Sequence, residues 1–488
     1  MRSHTVRSHP VRSHPVRSRP VRLTTLLVVG AVALAGCAQG RGGGEAAAEA
    51  SYDSGAEVDG PLEVLGFGLN DEVAEVRAAR AEEELSGVDV QLVEGGLDPQ
   101  RFLTAVASGD APDLIYTTRA QVGSFASRGA IAPLTRCIEG EDIDMSAYVQ
   151  TAVDQVTLDG DVYAIPEFNV VQVLAANPQL LEQAGVTTAQ VDGSDWEGVL
   201  TATDALATAA GPDAIGYDSK LPDFFPLWAR SNGAGLLSED GRTAQLDDPK
   251  AVEALELAVE VLERQGGFGD VSALRDASDF FGADNQFAAG TLGAFPIEQW
   301  YINVLNDVSP DAPVTFDTFK DRQGQTIAFA GGGSWAVPTG SSNPEAACRY
   351  AKTMTEVDSW MAAAEARQQA REEEGKPFTG LLTGNTEADA AIRELVADTD
   401  EPWQSGIEAT YEANDNTFAL PANPADAEFT EAWQDAVNRV LNGQETPAES
   451  LARAQEEAQA ALDSAWETWD ASGGEPSVQP APSASADR

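Results

Sequence analysis

The stretch that decides the fold runs from Pro61 to Tyr116 and reads PLEVLGFGLNDEVAEVRAARAEEELSGVDVQLVEGGLDPQRFLTAVASGDAPDLIY. Short apolar or alternating runs in it predict β-strands, and the longer segments between them have the spacing of amphipathic helices. The predicted order is strand 61–66, helix 71–85, strand 88–92, helix 98–109 and strand 112–116. Strands that alternate with helices at this spacing predict an α/β fold with a doubly wound, mostly parallel sheet.

The loops after the first and third strands are the first candidates for a functional site. In open sheets of this kind, ligands bind at the carboxyl ends of the strands. The loops Phe67–Asp71 and Thr117–Gln121 follow two such ends, so both are candidate site walls.

Downstream of Gln121 the same patterns predict further strands and helices, but no repeat of fixed period. Strands are predicted at 161–166, 290–295 and 334–338, and helices at 177–185, 196–210, 249–265, 343–355, 387–397, 427–441 and 447–469. Residues 471–488 are rich in Ser, Pro and Ala, a composition typical of a disordered tail.

Charge and histidine content exclude several classes of function. The 488-residue chain has 79 acidic and 30 basic residues, a net charge of −49, which would repel a nucleic acid. Such acidity favours solubility in an extracellular or salty medium. The histidines are His4, His9 and His14, so the rest of the chain has no histidine-based triad and no histidine-containing zinc site. No metal site and no cofactor are predicted.

The N-terminus has the features of an export signal. The first 36 residues contain six arginines and no acid, and Leu26–Leu34 is an apolar run too short to span a bilayer. Leu34-Ala35-Gly36-Cys37 resembles the lipobox of bacterial lipoproteins. That resemblance implies a signal peptide over 1–36, lipidation of Cys37, a flexible tether over 37–61 and a position on the outer face of the cell membrane. The alternative is a buried N-terminal strand with an incidental cysteine.

Two further cysteines, Cys137 and Cys348, remain in the body of the chain. An even pair outside the membrane suggests one disulfide, and two separate buried thiols are the alternative.

Several short motifs, in this order along the chain, resemble the extracellular solute-binding protein family 1, the sugar receptors of ATP-driven (ABC) importers. They are ASGDAPD at 107–113, GAIAPL at 129–134, GDVYAIP at 160–166, NPQLLEQAG at 177–185, the GGGSWAVP and NPEAA segments within 331–355, and LNGQ with the following helix at 441–454.

The resemblance implies two α/β lobes of the type II-like periplasmic-binding-protein fold, joined by a hinge, with a small polar solute held between them. It places one lobe at 62–166 plus 332–378 and the other at 167–331 plus 379–470. It also implies a monomer whose partner is a membrane permease.

The candidate ligand-binding residues combine polar side chains, which suit sugar hydroxyls, with flat aromatic rings, which suit the C–H face of a sugar. They are Phe67, Asn70, Asp71, Glu167, Phe168, Asn169, Trp228, Asn232, Glu298, Gln299, Trp300 and Trp335. For several of them a structural role is the alternative, namely a helix cap for Asp71 and core packing for Phe67, Trp228, Trp300 and Trp335.

The five loops that carry these residues, at 67–71, 167–169, 225–233, 298–300 and around Trp335, contain Asp and Glu but only Arg230 as a base, which favours a neutral or weakly cationic solute over an anion. The expected solute is a neutral sugar or oligosaccharide, and a cationic amine or a peptide is the alternative. An exported carbohydrate-active enzyme would need two carboxylates across a sugar. The sequence has no G-x-S-x-G motif, no P-loop lysine and no metal-spaced Cys/His set, so a receptor without enzymatic activity is predicted.

Overall fold

Residues 60–118 fold into the predicted strand–helix–strand–helix–strand unit. The computed structural model describes residues 52–474. The predicted signal peptide, the lipidation of Cys37, the first part of the tether and most of the C-terminal tail lie outside the described residues.

The strands of the described part are short, and most of them belong to two sheets. They are β1 (Gly60–Leu65), β2 (Val88–Val93), β3 (Leu114–Thr118), β4 (Thr157–Leu158), β5 (Asp161–Val162), β6 (Ile165–Val170), β7 (Gln172–Ala176), β8 (Ile215–Tyr217), β9 (Leu292–Glu298), β10 (Thr315–Thr318), β11 (Ala328–Phe329), β12 (Gly331–Ala336) and β13 (Thr417–Phe418).

The helices are α1 (Glu72–Glu84), α2 (Pro99–Ser108), α3 (Val122–Ser127), α4 (Thr135–Gly140), α5 (Gln150–Asp154), α6 (Pro178–Ala184), α7 (Trp196–Ala210), α8 (Phe225–Ser231), α9 (Pro249–Glu263), α10 (Phe268–Asp276), α11 (Gln286–Ala289), α12 (Trp300–Val308), α13 (Pro344–Thr355), α14 (Val357–Glu374), α15 (Thr386–Leu395), α16 (Trp403–Asp415), α17 (Asp426–Leu441) and α18 (Pro447–Ala471).

The first lobe is built on a five-stranded sheet of order β2-β1-β3-β12-β6. β1 pairs in parallel with β2 and β3, whereas β12 runs antiparallel to β3 and β6. Alternate residues of the strands face opposite sides, so Leu62 and Val64 pack in one core with α1 and α13. Ile115 packs in the other core with Phe102 and Phe125.

The second lobe is built on a four-stranded sheet of order β10-β7-β9-β8. Only β8 and β9 are parallel, because β7 runs antiparallel to both β9 and β10. The two-lobed α/β architecture matches the prediction, but this sheet is mixed rather than mostly parallel.

The chain crosses from the first sheet to the second at Val171 and returns at Ala330. The first crossing was predicted after Pro166, where the strand was expected to end, but β6 continues to Val170. Pro166 lies opposite Ser334 within the strand pair, and β6 is the edge strand of its sheet. An edge strand tolerates proline because one row of its backbone groups needs no ladder partner.

The predicted division near residue 379 also differs from the packing. The apolar face of α15, with Ala388 and Ile392, is buried with Trp360 and Ala363 of α14, on the side of the first lobe. α16, in contrast, packs on β10 and β7 of the second sheet. α17 contacts α3 of the first lobe as well as α9 of the second, so the C-terminal helices belong to both.

The last part of the predicted tether is not free. Tyr52 donates a hydrogen bond to Glu141, and the Arg349 guanidinium donates to the carbonyls of Ser54 and Ala56. These contacts fix residues 52–56 on the first lobe, where the sequence, rich in small and polar residues, predicted flexibility.

A disulfide joins Cys137 of α4 to Cys348 of α13 in the same lobe. Within residues 52–474, no helix combines the length and the apolar composition needed to cross a membrane.

Candidate functional site

A cleft of about 950 Å³ opens where the two crossings meet, with walls from both lobes. The loops after β1 and β3 contribute to it, as predicted from the position of strand ends. The first-lobe and crossing residues that line it are Gly66, Gly96, Leu97, Tyr116–Thr118, Ala120, Gln121, Gln155, Phe168–Val170 and Ala330–Gly333. The remaining wall is formed by Gln172, Asp223, Phe224, Glu298–Trp300, Phe329 and Gln434.

Aromatic rings are distributed around the whole cleft. Tyr116 and Phe168 come from strands of the first sheet, Phe224 and Trp300 from the second lobe, and Phe329 from the return crossing. Rings of this kind present flat apolar faces that match the C–H face of a sugar ring.

Two carboxylates are the only charged side chains among the residues that line this cleft, and both belong to the second lobe. Glu298 accepts a hydrogen bond from its own backbone N–H, and no other described residue donates to the side chain of Asp223 or Glu298. Burial raises the pKa of Glu298, and the nearby charge of Lys220 opposes that rise. Carboxylate oxygens without partners accept hydrogen bonds from hydroxyl or ammonium groups, so the polar side of the cleft selects hydrogen-bond donors.

Three glutamines of the cleft brace the crossings. Gln172 exchanges two hydrogen bonds with the backbone of Phe329, and Gln299 accepts from Val171 and donates to Asn169. Gln155 donates to the carbonyl of Ala330 at 3.2 Å. These amides hold the two crossing segments against each other at the floor of the cleft.

Two smaller grooves adjoin the cleft. One, of about 330 Å³, shares Phe168, Gln299 and Trp300 with it and extends toward Arg367 and Thr379. The other, of about 220 Å³, shares Ala120, Gln155, Asp223, Phe329 and Gln434 with the cleft. The continuous space is therefore larger than one sugar ring requires.

Beneath the cleft floor lies the Arg119 cluster, made of Arg119, Gln155, Asn169, Asn414 and Asp389. The buried guanidinium donates to Gln155 Oε1 at 3.0 Å, to Asn169 Oδ1 at 2.8 Å and to the carbonyls of Phe168 and Gly331. No carboxylate pairs with it within the described chain, and burial lowers its pKa to about 10.

The asparagines of the Arg119 cluster connect its cation to a distant anion. Asn169 donates to Asn414 Oδ1 at 2.6 Å, and Asn414 donates to Asp389 Oδ2 at 3.4 Å. Burial raises the pKa of Asp389 to about 6. Two amides thus point head to tail from a cation at the cleft floor toward a carboxyl group on α15, and Asn414 lies on α16, which packs on the second sheet.

The Arg77 cluster, made of Arg77, Glu167, Trp335 and Trp360, lies wholly within the first lobe. Arg77 Nη1 is 2.9 Å from Glu167 Oε1, and both side chains are fully buried. Trp335 donates its indole N–H to the other oxygen of Glu167, and the guanidinium lies 3.8 Å from the Trp360 ring centroid. Desolvation raises the pKa of Glu167 in spite of Arg77. This pair stabilises a core and offers nothing to a solute.

The triple glycine lets backbone segments approach closely at the floor. A Cβ on Gly332 would lie 2.1 Å from the carbonyl oxygen of Phe168, and its φ of +147° disfavours other residues. A Cβ on Gly333 would lie 2.0 Å from the hydroxyl oxygen of Tyr116. Gly331 has free space at the same position.

The structure brings five of the predicted ligand residues to the cleft, namely Phe168, Asn169, Glu298, Gln299 and Trp300. Asn169 and Gln299 already use polar atoms in internal hydrogen bonds. The Phe168 ring packs on Trp360 and Arg77, so Glu298 and Trp300 are the two that remain available to a solute.

Seven predicted residues lie elsewhere. Asp71 caps α1 by accepting a hydrogen bond from the Ala74 N–H, so the helix-cap alternative is the correct one for it. It also pairs with Arg367 at the adjoining groove. Asn70 is exposed and lines none of the cavities described above. Asn232 donates to Glu253 and accepts from Arg322, and it lines none of these cavities.

The other four are buried. Phe67 packs on Tyr116 and Trp335, and Glu167 and Trp335 belong to the Arg77 cluster. Trp228 donates to the carbonyl of Ser219 at 2.8 Å inside the second lobe. The segment around Trp228 was expected to be a ligand-facing loop, but it forms α8, which turns the indole into the core.

Sequence reasoning missed Tyr116, Asp223, Phe224, Phe329 and Gln434 as cleft residues. Tyr116 is the last residue of a predicted strand, and Phe329 is two residues before the triple glycine, so the signal that could have found them was their position next to these predicted elements. Asp223 follows Pro222, and Gln434 lies on α17, and neither has a local pattern that separates it from other exposed polar residues.

Among residues 52–474, no group of three or more His, Cys, Asp or Glu side chains is arranged to hold a metal ion.

Comparison with known proteins gives one family match and many structural matches. The family model described as "Bacterial extracellular solute-binding protein" matches residues 77–370. A lactose-binding protein of Rhizobium radiobacter is 27% identical over 149 residues, which is 29% of this chain and 34% of that protein. The chain thus spans about a third of the length of that relative.

Solved structures with a similar fold cover most of the chain. The GacH receptor of Streptomyces glaucescens, solved without ligand and with acarbose, is 20% identical with a TM-score of 0.64, over 83% of this chain and 99% of its own. An ABC substrate-binding protein of Listeria monocytogenes in complex with cycloalternan is 20% identical with a TM-score of 0.66, over 83% and 100%. A solute-binding protein from Thermotoga lettingae, bound to α-D-tagatose, is 21% identical with a TM-score of 0.64, over 83% and 100%.

Proposed function

This chain belongs to the bacterial extracellular solute-binding protein family, and on that premise we propose that it is the solute receptor of an ABC importer that captures a neutral sugar or oligosaccharide. The cleft between its lobes carries the proposal. Aromatic rings surround a space of about 950 Å³, and the polar groups left without partners accept hydrogen bonds from hydroxyls. The relatives named above include proteins reported with lactose, acarbose and tagatose.

Capture depends on the two crossings at Val171 and Ala330. A solute that contacts Tyr116 of the first lobe and Trp300 of the second stabilises the closed arrangement of the lobes. The closed, loaded receptor then delivers its solute to a membrane permease. The export signal and Cys37 fit a monomeric receptor held by lipid on the outer face of the membrane.

A thermal-shift screen of the purified protein tests the proposal. Mono-, di- and oligosaccharides are compared with polyamines and short peptides. A solute at 100 times its Kd should add about 2.7 kcal/mol of stability. We expect a neutral sugar to raise the melting temperature and to be recovered chemically intact. Consumption of the sugar would instead identify a carbohydrate-active enzyme.

Matched tryptophan variants locate the effect. Trp300→Ala should abolish the sugar-induced shift, because Trp300 lines the cleft and its neighbouring groove. Trp196→Ala is the control, since Trp196 stacks on Arg322 and lines none of the cavities described here. An equal loss of binding in both variants would contradict the assignment of the site.

A cationic amine or a peptide is the second candidate solute. Asp223 and Glu298 favour it, because both carboxylates face the cleft and no lysine or arginine side chain lines it. A shift with polyamines or peptides alone would select this alternative and remove the sugar from the proposal.

A further inference from the structure

Phe281 is exposed in a way that the fold does not require. It is 65% exposed, and Val93 at 38% is the other exposed large hydrophobic residue of the described chain. Single exposed apolar residues are common on protein surfaces. Phe281, however, is not single, because its ring lies parallel to that of Trp300, with 12° between the planes and 6.0 Å between the centroids.

Four aromatic residues, Phe280, Phe281, Trp300 and Tyr301, form what we name the aromatic strip. Phe280 stacks on Tyr301 with centroids 4.3 Å apart and contacts Phe281 edge-on at 5.0 Å. Tyr301 is buried, Phe280 and Trp300 are half-buried and Phe281 is exposed. The strip therefore runs from the interior of the second lobe to its surface.

The loop that presents Phe281 is held in place by the second lobe. The Tyr301 hydroxyl donates to the Phe280 carbonyl at 3.1 Å, and Asn285, which is fully buried, donates to the Gly282 carbonyl at 2.9 Å. Gly282 N–H donates to the Asp279 carbonyl within the loop. Because its backbone is fixed on both sides of Phe281, the loop offers a preformed flat surface at little entropic cost.

The aromatic strip is continuous with the solute cleft. Trp300 lines both the cleft and the groove of about 330 Å³ beside it, and Phe281, which lines neither, stacks on Trp300 and so lies one ring beyond the cleft wall. Asp279 and Asp284 are exposed in the same loop and supply hydrogen-bond acceptors for hydroxyls near the ring.

We propose that Phe281 forms an outer sugar-binding subsite, which stacks on a sugar unit of an oligosaccharide whose other units lie in the cleft. This inference rests on the proposed function, because it assumes that the cleft binds a saccharide. It adds that the receptor selects for chain length, through a residue outside the cleft.

The experiment measures affinity against chain length by calorimetry for the wild type and Phe281→Ala. The probes are unbranched α-1,4-glucan, β-1,4-mannan and β-1,4-galactan series, each from the disaccharide to the heptasaccharide. We expect Phe281→Ala to leave the shortest bound member within about twofold of the wild type and to weaken the longer members about five- to tenfold.

Three further variants define the cause. Phe281→Trp keeps a flat ring and should retain the affinity for long chains, whereas Phe281→Leu keeps apolar bulk without a ring and should lose it. Val93→Ala, at the other exposed hydrophobic residue, should change neither short nor long members. Melting temperatures of all variants verify that each is folded.

The outcomes separate the two proposals. If Phe281→Ala weakens every length equally, or none, the outer subsite is wrong and the receptor function stands. If the wild type binds no member of any series, the outer subsite is wrong, and the thermal-shift screen decides the receptor proposal separately.

Discussion

Arg77 and Arg119 are both buried beside Phe168, yet the two clusters around them compensate the charge in different ways. Arg77 meets a carboxylate directly, Glu167, and every member of its cluster belongs to the first lobe. Arg119 donates only to neutral oxygens, which include those of Phe168 and Asn169 on β6 and of Gly331 on β12. Two asparagines connect it by hydrogen bonds to Asp389. Phe168 touches both, since its ring lies 5.2 Å from the Arg77 guanidinium and its carbonyl accepts from Arg119 at 2.9 Å.

The difference separates stability from function. When a buried charge has its partner inside the same lobe, removal of that partner destabilises that lobe. A charge that is shared by both crossings and by α16 also fixes how the crossings sit at the cleft floor. Variants of the Arg77 cluster should therefore reduce stability with little effect on binding, and variants of the Arg119 cluster should reduce both.

The largest expected effect is that of Arg77→Met. Removal of the guanidinium leaves the fully buried Glu167 without its cation, which typically costs about 3–5 kcal/mol. Chemical denaturation measures the loss. The double variant Arg77→Met/Glu167→Gln should regain much of it, because no charge then remains buried. A loss in the single variant below about 1 kcal/mol would contradict the role given to the pair.

Arg119→Met should cost about 3 kcal/mol, because several buried oxygens lose their donor together. Solute affinity should also fall by about tenfold, whereas Arg77→Met should change it by less than about threefold. Denaturation and calorimetry on the same samples give both numbers. Equal affinity losses in the two variants would remove the distinction between the clusters.

Asp389→Asn tests the far end of the Arg119 cluster through pH. Burial raises the folded-state pKa of Asp389 to about 6, above the unfolded value near 3.8, because the interior favours the neutral carboxyl. The stability that this neutral carboxyl contributes is fully present below pH 3.8 and is lost as pH rises through 6. Between pH 4 and pH 7 the wild type should lose about 2–3 kcal/mol relative to the variant. Urea denaturation of both proteins at each pH measures this difference. A difference that does not change with pH would show that Asp389 does not titrate in this window.

The smallest effect is expected from Gly332→Ala, at about 1–2 kcal/mol. Its Cβ would displace the Phe168 carbonyl and lie 2.8 Å from Arg119 Nη2, so it strains the Arg119 cluster without removing a charge. Gly331→Ala is the matched control, because a Cβ there meets nothing within 4 Å and should change stability by less than about 0.5 kcal/mol. Thermal denaturation of the two variants, with solute affinity for each, makes the comparison.

The sequence predicted much of the fold because its signals are local. Asp98 and Asn177 cap their helices through the side-chain hydrogen bonds expected of those residue types, each followed by proline. Nine of the eighteen described helices were not predicted, and the longest of these are α14 and α16. In α14, for example, Trp360 is the one large apolar side chain that is fully buried, and alanines and charged residues fill most of the rest, so no clear apolar stripe marks the helix.

The candidate site was predicted less well, because the direction of a side chain at the end of a buried strand depends on partners far away in the chain. Glu167, Phe168 and Asn169 are consecutive, yet Glu167 faces Arg77 and Asn169 faces Arg119, while Phe168 lines the cleft and packs its ring on Trp360. Trp228 and Trp300 were both predicted as ligand-binding residues, and only the packing of α8 and α12 separates them.

The sequence by itself thus determined the alternating strands and helices, the order of family motifs and the absence of histidine chemistry, since these depend on residues near one another or on composition. The tertiary structure alone decided that Arg77 and Arg119 are buried. In the sequence each is an ordinary polar residue. Burial of a charge is tolerated only where distant groups compensate it, and those partners lie 90 residues away for Arg77 and 50 for Arg119 at Asn169.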